Sequence, residues 1–169
     1  MKFKVVHRFE GSPFEEVIFY MTEEYVFDAT DMPNIQSGKL IEQVETPEMK
    51  RWKNEWSAYG QIPKVVQHLI KPKMLTWIEE TQLDRKTRST FTRIIPFYFK
   101  NVFKSETKGW YERKSDNEFL RIVEGFIDVK IPVFGPFIEE QLVAHMRTNF
   151  DIEYKITFKH IKEKFGKKK

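Results

Sequence analysis

A strand pattern changes into a helix pattern within Glu124-Gly125-Phe126-Ile127-Asp128-Val129-Lys130-Ile131-Pro132-Val133-Phe134-Gly135. Val123, Ile127 and Val129 share one side of a strand predicted over residues 118–130. Beyond Gly135, apolar residues recur mostly every four positions, which predicts a helix of about thirty residues. A step of four overshoots a helical turn by about 40°, so the apolar stripe winds around the helix and a curved partner is expected to surround it. The stripe consists of Phe134, Ile138, Leu142, Met146, Phe150, Tyr154, Phe158, Ile161 and Phe165.

The chain before this junction predicts a sheet with two short helices near its start. Residues 2–10 have the pattern of a strand, and Ser12 is expected to cap a first helix that begins near Pro13. A second short helix is predicted from Thr22, carrying Tyr25, Val26 and Phe27. Three hairpins are expected to follow, at residues 35–46 with 48–59, 74–83 with 87–95, and 105–113 with 118–130.

The connections of this meander differ in polarity between the two ends of the sheet. Successive turns of an antiparallel meander alternate between the ends, so the polar turns at 46–48, 84–86 and 114–117 share one end. The connections 60–73, 96–102 and 131–136 share the other end, and they are longer and more apolar. Because irregular segments that face water are normally polar, the apolar end is expected to form either a covered core or the mouth of an apolar pocket.

Length and composition favour one globular domain. The 169 residues, with 40 % apolar residues, predict a single globular domain over 1–165 and a basic tail over 166–169. No apolar stretch approaches the ~18 residues of a membrane span, and the charged N-terminus predicts no export signal, so a cytoplasmic location is expected. The absence of Cys excludes disulfides and cysteine nucleophiles.

Charge and motifs argue against several classes of function. The net charge is +4, but residues 155–169 alone hold seven Lys and one Glu, so no basic groove for nucleic acid is predicted. The four His do not have metal-ligand spacing, and the chain has neither a phosphate loop nor a Gly-x-Ser-x-Gly motif. Neither a metal, nor a cofactor, nor a catalytic residue set is therefore predicted.

The order of elements and the junction residues resemble the START-like superfamily, also called SRPBCC, helix-grip or birch-pollen-allergen-like. The segment Glu124–Gly135 with Ile138-Glu139, and the opening His7-Arg8-Phe9 with Ser12-Pro13, look like an uncharacterised bacterial branch of that superfamily. The resemblance implies an α+β helix-grip fold, in which a curved antiparallel sheet (β-α-α-β6-α) wraps around the C-terminal helix. It also implies a cavity between sheet and helix for a lipid or other apolar ligand, with no universal catalytic residues. Pro136-Phe137 departs from the branch, and this bulky ring is expected to narrow the cavity mouth.

Two sets of residues follow as candidates for binding. Aromatic and aliphatic side chains of the strands and the long helix are expected to line the cavity, although plain core packing is an alternative for each. His145 is the one titratable member and is more simply explained as structural than as a ligand contact or base. The cavity set is Trp56, Trp77, Phe91, Trp110, Val123, Ile127, Phe137, Leu142, His145 and Met146. The membrane-contact set, which combines aromatic rings with cations, is Phe97, Tyr98, Phe99, Lys100 and Lys104.

Three classes of function remain open at this stage. The first hypothesis is a noncatalytic module that binds or transports a hydrophobic small molecule such as a lipid, with weak association with anionic membranes. The second is a cyclase or aromatase acting on a polyketide-like substrate, for which the sequence offers only His145, Tyr98 and Tyr111 as polar groups. The third is a protein-interaction domain whose cavity is filled, since the chain contains 16 Phe.

Overall fold

The computed structural model describes residues 1–28, 31–59, 67–68 and 70–166. Its strands are β1 (Lys2–Glu10), β2 (Ile35–Glu45), β3 (Met49–Ala58), β4 (Thr76–Asp84), β5 (Ser89–Pro96), β6 (Phe103–Ser115) and β7 (Glu118–Val129). Its α-helices are α1 (Phe14–Phe19), which continues into a π-helical turn at Tyr20–Glu24, and α2 (Gly135–Phe165). A 3₁₀ turn at Pro72–Met74 precedes β4.

The seven strands form one antiparallel sheet in the order β1-β7-β6-β5-β4-β3-β2. Along β1, residues alternate strictly between exposed and buried, because every second side chain faces α2. Phe3, Val5, His7 and Phe9 lie on this concave face, and the register carries it across β7 to β2. The predicted α+β sheet with a long C-terminal helix is confirmed.

Helix α2 packs chiefly on β7 and β1 through two apolar clusters. Near its beginning, Ile138 and Val143 are buried with Phe3, Ile127 and Val129. Near its end, Ile161 joins Phe9, Phe119, Val17 and Ile18. The winding stripe predicted from the sequence therefore supplies both clusters, with Leu142, Met146, Phe150, Tyr154, Phe158 and Phe165 partly buried against them.

The polar turns meet at one end of the sheet, as the alternation predicts. The π-helical turn is fastened there by Glu23, whose carboxylate accepts from Arg85 and Arg88, each with one N–O distance of 2.9 Å. Arg85 also donates to the Thr46 carbonyl and, at 2.8 Å, to Glu45. This network joins α1 to the turns that follow β2 and β4.

Two local predictions at the start of the chain are wrong. Ser12 does not cap α1: Pro13 precedes the helix without a side-chain cap, and the buried Ser12 hydroxyl has no partner among the described residues. The chain is held there instead by the N–H groups of Gly11 and Phe14, which donate to the carbonyls of Asn117 and Asp116. Residues 25–28 form no second helix, since the π-helical turn ends at Glu24 and Tyr25 is extended.

Several predictions fall partly outside the described residues. Within the predicted apolar connection 60–73, residues 60–66 and 69 are outside them, as are residues 167–169 of the predicted basic tail. Among the described helices, none is long and apolar enough to cross a membrane.

Candidate functional site

Small side chains form the middle of the concave face. The register aligns Thr81 on β4, Thr92 on β5, Thr107 on β6 and Gly125 on β7 in one row. The hydroxyls of Thr81 and Thr92 are 2.9 Å apart. Thr90 and Gly109 extend this small-residue floor by another row. Helix α2 packs chiefly on β7 and β1, and so beside the strands β4 and β5 that carry Thr81, Thr90 and Thr92.

Two tryptophans form a wall on the β3–β4 side of this floor. Trp56 and Trp77 lie directly opposite each other on neighbouring strands and therefore share the concave face. The benzene edge of the Trp56 indole lies across Gly38 on β2, where an added Cβ would be 2.0 Å from it. Only glycine at this position leaves room for the ring. With its benzene edge over β2, the indole turns its opposite edge, which carries the N–H group, towards β4.

A polar belt crosses the concave face between the two apolar clusters. We define this belt as His7 on β1, Arg121 on β7, and Asp151 and Glu153 on α2. Arg121 donates to both carboxylate oxygens of Glu153 at 2.7 Å each, and its guanidinium lies 3.3 Å from His7 Nδ1. His7 Nε2 is 2.8 Å from Asp151, and the imidazole stacks on Tyr154 with ring centroids 4.5 Å apart.

Burial and neighbouring charges shift the pKa values of His7 and Arg121 in opposite directions. Burial lowers the pKa of His7, and Arg121 adds to this, while Asp151 opposes it. Burial also acts to lower the pKa of Arg121, but the charge and hydrogen bonds of Glu153 outweigh it and leave that pKa raised. The interior charge of Arg121 is thus compensated by Glu153.

Glu79 and Tyr111 are further titratable groups on the concave face. Glu79 lies between Trp77 and Thr81 on β4, and Tyr111 lies opposite Arg121 on β6. Many protein atoms surround both side chains, and both keep part of their accessible surface. Burial raises the pKa of each. Trp56 opposes the rise at Glu79 and Arg121 opposes it at Tyr111, while the Glu153 charge adds to both.

The structure brings six of the ten cavity candidates to the interior. Trp56, Trp77, Val123 and Ile127 face the concave side, and Leu142 and Met146 pack against the first apolar cluster. The other four lie elsewhere: Phe91 and Trp110 are on the convex face, and His145 and Phe137 are exposed on α2.

The membrane candidates cluster at the apolar end of the sheet. Phe97 and Tyr98 are exposed in the β5–β6 connection, Phe99 is half-buried, and Lys100 and Lys104 are exposed. Lys104 lies over the Phe126 ring at 5.3 Å. Val133, in the connection between β7 and α2, is 90 % exposed.

Sequence reasoning did not single out His7, Glu79, Arg121 or Glu153 as site residues. The sequence does mark Arg121 and Glu79 as unusual. Each is a charged residue on a strand face where the residues two positions before and after it are uncharged. Their pairing across strands depends on register, which the sequence pattern leaves open.

Two depressions of about 600 Å³ and 590 Å³ lie on the surface of the described part of the chain. The first is bordered by Phe19, Tyr20 and Phe165. The second is bordered by Phe91 and Phe126 of the convex face, by Phe3, Thr107 and Gly125, and by Arg147 of α2. Among the described residues, no group of three or more His, Asp or Glu side chains has a metal-binding arrangement.

Solved proteins share this architecture over nearly the whole chain. The protein TTHA0849 from Thermus thermophilus matches with a TM-score of 0.66 and 13 % identity, over 95 % of this chain and 97 % of that one. The ZhuI aromatase/cyclase from Streptomyces sp. R1128 matches with a TM-score of 0.64 and 12 % identity, over 96 % and 94 %. A START superfamily protein from Mycobacterium smegmatis matches with a TM-score of 0.56 and 13 % identity, over 95 % and 98 %.

No protein-family model and no curated protein matches the chain. The structural likeness, at these identities, concerns the fold alone. The chain has the START-like helix-grip fold, as the resemblance of its sequence implied.

Proposed function

We propose that the protein binds a hydrophobic small molecule, such as a lipid, between the concave face of the sheet and α2. The observation that carries this proposal is the part of the small-residue floor on β4, β5 and β6, which includes Thr81, Thr92, Thr107 and Gly109, beside a helix that packs chiefly on β7 and β1. A filled core would place large apolar side chains at these positions, because protein interiors are close-packed. Trp56 and Trp77 supply the apolar wall that such a ligand needs.

Filling the floor tests this proposal. Thr107→Phe should abolish binding of the neutral apolar dye Nile red while the protein stays folded by circular dichroism. Lys108→Phe is the matched control, since Lys108 neighbours Thr107 in sequence but faces the convex side. Native mass spectrometry of freshly purified protein should show an apolar adduct in the native chain and not in Thr107→Phe. Equal Nile red binding by both variants would contradict the proposal, as would no binding by the native chain.

An enzymatic function is the second candidate, because Glu79 and Tyr111 are enclosed acids whose pKa values are raised mainly by burial. Such groups can transfer protons at carbon next to a carbonyl, as a cyclase requires, and one protein of similar fold is an aromatase/cyclase. The test is deuterium exchange at the α-carbon of the bicyclic ketone α-tetralone. Catalysed exchange that is lost in Tyr111→Phe would favour this function, and exchange at the rate of buffer alone would contradict it.

We further propose that the apolar end of the sheet contacts anionic membranes weakly. Phe97, Tyr98 and Val133 are exposed there, and Val133 is held at a φ of 67°, which is unfavourable for a β-branched residue. Lysines near an anionic surface contribute about 1 kcal/mol each, so Lys100 and Lys104 favour a salt-sensitive contact.

Sedimentation with vesicles of phosphatidylcholine and phosphatidylserine tests this contact. The native chain should pellet at low salt and not at high salt, and Phe97→Ser with Tyr98→Ser should reduce pelleting. Leu40→Ser, an exposed apolar position on the edge strand β2, is the control. Equal pelleting of all three proteins would place the contact elsewhere.

A further inference from the structure

Glu79 is an interior carboxyl group without a countercharge. Among the described residues it forms no ion pair, and the two terminal nitrogens of the Arg121 guanidinium are already bound by Glu153. The electrostatic neighbour of Glu79 is the Glu153 carboxylate, which disfavours a second negative charge. An isolated interior carboxylate is costly, which favours the protonated, neutral form of such a group.

Two unused hydrogen-bond donors lie on the same wall. The indole N–H groups of Trp56 and Trp77 are buried and have no hydrogen-bond partner among the described residues. The N–H edge of Trp56 lies beside the Glu79 carboxyl and partly opposes its raised pKa, although the geometry falls short of a full hydrogen bond. Buried donors are rarely left unpaired in proteins, so these groups indicate a position where a bound molecule supplies the acceptor.

We propose that Glu79, Trp56 and Trp77 form a recognition point for an uncharged oxygen, a hydroxyl or carbonyl group, at the polar end of an apolar ligand. The inference deepens the proposed function and rests on it. A neutral carboxyl both donates and accepts, and the two indoles only donate, which matches such an oxygen. A carboxylate ligand is disfavoured by Glu153 and Glu79. An ammonium ligand would have to ionise Glu79 and lose its own hydration, and buried ion pairs often recover no more than that cost.

Competition against Nile red tests the proposal with three molecules that differ only in their polar group: decan-1-ol, decanoate and decylammonium. At pH 7, decan-1-ol should displace the dye at a concentration about tenfold lower than either ion, as expected for a matched hydrogen bond. Glu79→Leu should reduce this preference without removing dye binding, because decan-1-ol loses its hydrogen-bond partner while Glu153 and lost hydration still disfavour the ions. Glu79→Gln should keep it, because an amide also donates and accepts.

Glu80→Gln is the matched control, since Glu80 is adjacent on β4, faces the convex side and should have no effect on the preference. Tightest displacement by decylammonium or decanoate would overturn the proposal, as would an unchanged preference in Glu79→Leu. In each of these results the native protein still binds the dye, so only the recognition point is contradicted. If the native protein binds no dye, the proposed function fails and this proposal fails with it. If Glu79→Leu does not fold, loss of the preference in Glu79→Gln overturns the proposal, and retention supports it.

Discussion

Replacement of the Arg121–Glu153 pair should show a large energetic coupling between the two residues. The pair joins β7 to α2 through two hydrogen bonds of 2.7 Å, and the side chains are 10 % and 24 % exposed respectively. Glu153→Leu leaves a buried guanidinium beside a neutral imidazole, which should cost about 3–5 kcal/mol of unfolding free energy. Arg121→Met leaves a carboxylate that water partly reaches, so the cost should be smaller, about 1.5–3 kcal/mol.

The double variant Arg121→Met/Glu153→Leu should be more stable than either single variant. It removes both charges and leaves no unpaired group, and replacement of a buried pair by apolar residues is often neutral. Because the double variant should lose less than the milder single variant, the coupling energy should exceed the cost of Glu153→Leu alone and so be at least about 3 kcal/mol, at or above the upper end of measured values for contacting residues.

Urea denaturation at pH 7, followed by tryptophan fluorescence, provides the free energies of unfolding. The slope against urea should agree among the four proteins, which checks that unfolding stays two-state. The control cycle uses Lys4 and Glu124, which join β1 to β7 on the convex face and are about half exposed. That cycle should give a coupling below about 1 kcal/mol. If the buried cycle gives no larger coupling than the exposed one, the assignment of a desolvated charge pair to the interior is refuted.

Three further predictions concern single residues. Phe9→Ala removes a fully buried ring that stacks on Phe119 at 4.8 Å, so urea denaturation should show a loss of about 3–5 kcal/mol, and a loss below about 1 kcal/mol would contradict its place in the core. Burial lowers the pKa of His7 from 6.5, so its neutral form contributes stability that is complete above pH 6.5 and is lost as pH falls through the lowered pKa. Thermal denaturation should show this loss of stability at low pH in the native protein but not in His7→Gln. The variant of an exposed histidine, His145→Gln, should still show it. Gly38→Val should displace the Trp56 ring, destabilise the protein by about 1–3 kcal/mol and shift its tryptophan emission, and unchanged emission would refute the close approach.

The sequence was informative where one period dominates. The stripe on α2 and the alternation in β7 predict the helix, the strand and their junction, because burial against a large partner selects one face of each element. Polar turns likewise predicted the end of the sheet where the connections are short. The start of the chain was harder: Ser12 has the chemistry of a cap, but backbone contacts of Gly11 and Phe14 with the β6–β7 turn hold the entry to α1 instead.

The cavity candidates were less predictable than the fold because a tryptophan suits either face of a sheet. Trp56 faces inward because Gly38 leaves room for its ring, whereas Trp110 faces outward opposite Ile122, with Lys4 over its ring at 5.9 Å. The strand patterns alone do not distinguish these two environments. His145 neighbours the apolar stripe but is exposed, since one position on a helix rotates a side chain by about 100°.

The position of the polar belt connects the fold to the proposed function. Val5, His7 and Phe9 follow one another on the inner face of β1, just as Phe119, Arg121 and Val123 do on β7, so both strands interrupt their apolar faces at the same level. Apolar residues there would extend the two clusters into one core at no net cost, because buried ion pairs add little stability over such residues. Stability alone therefore does not explain why charged residues form the belt. A role beside the proposed ligand-binding space would explain them. The double variant of Arg121 and Glu153 should accordingly remain folded but bind Nile red more tightly, and unchanged dye affinity would separate the belt from the ligand.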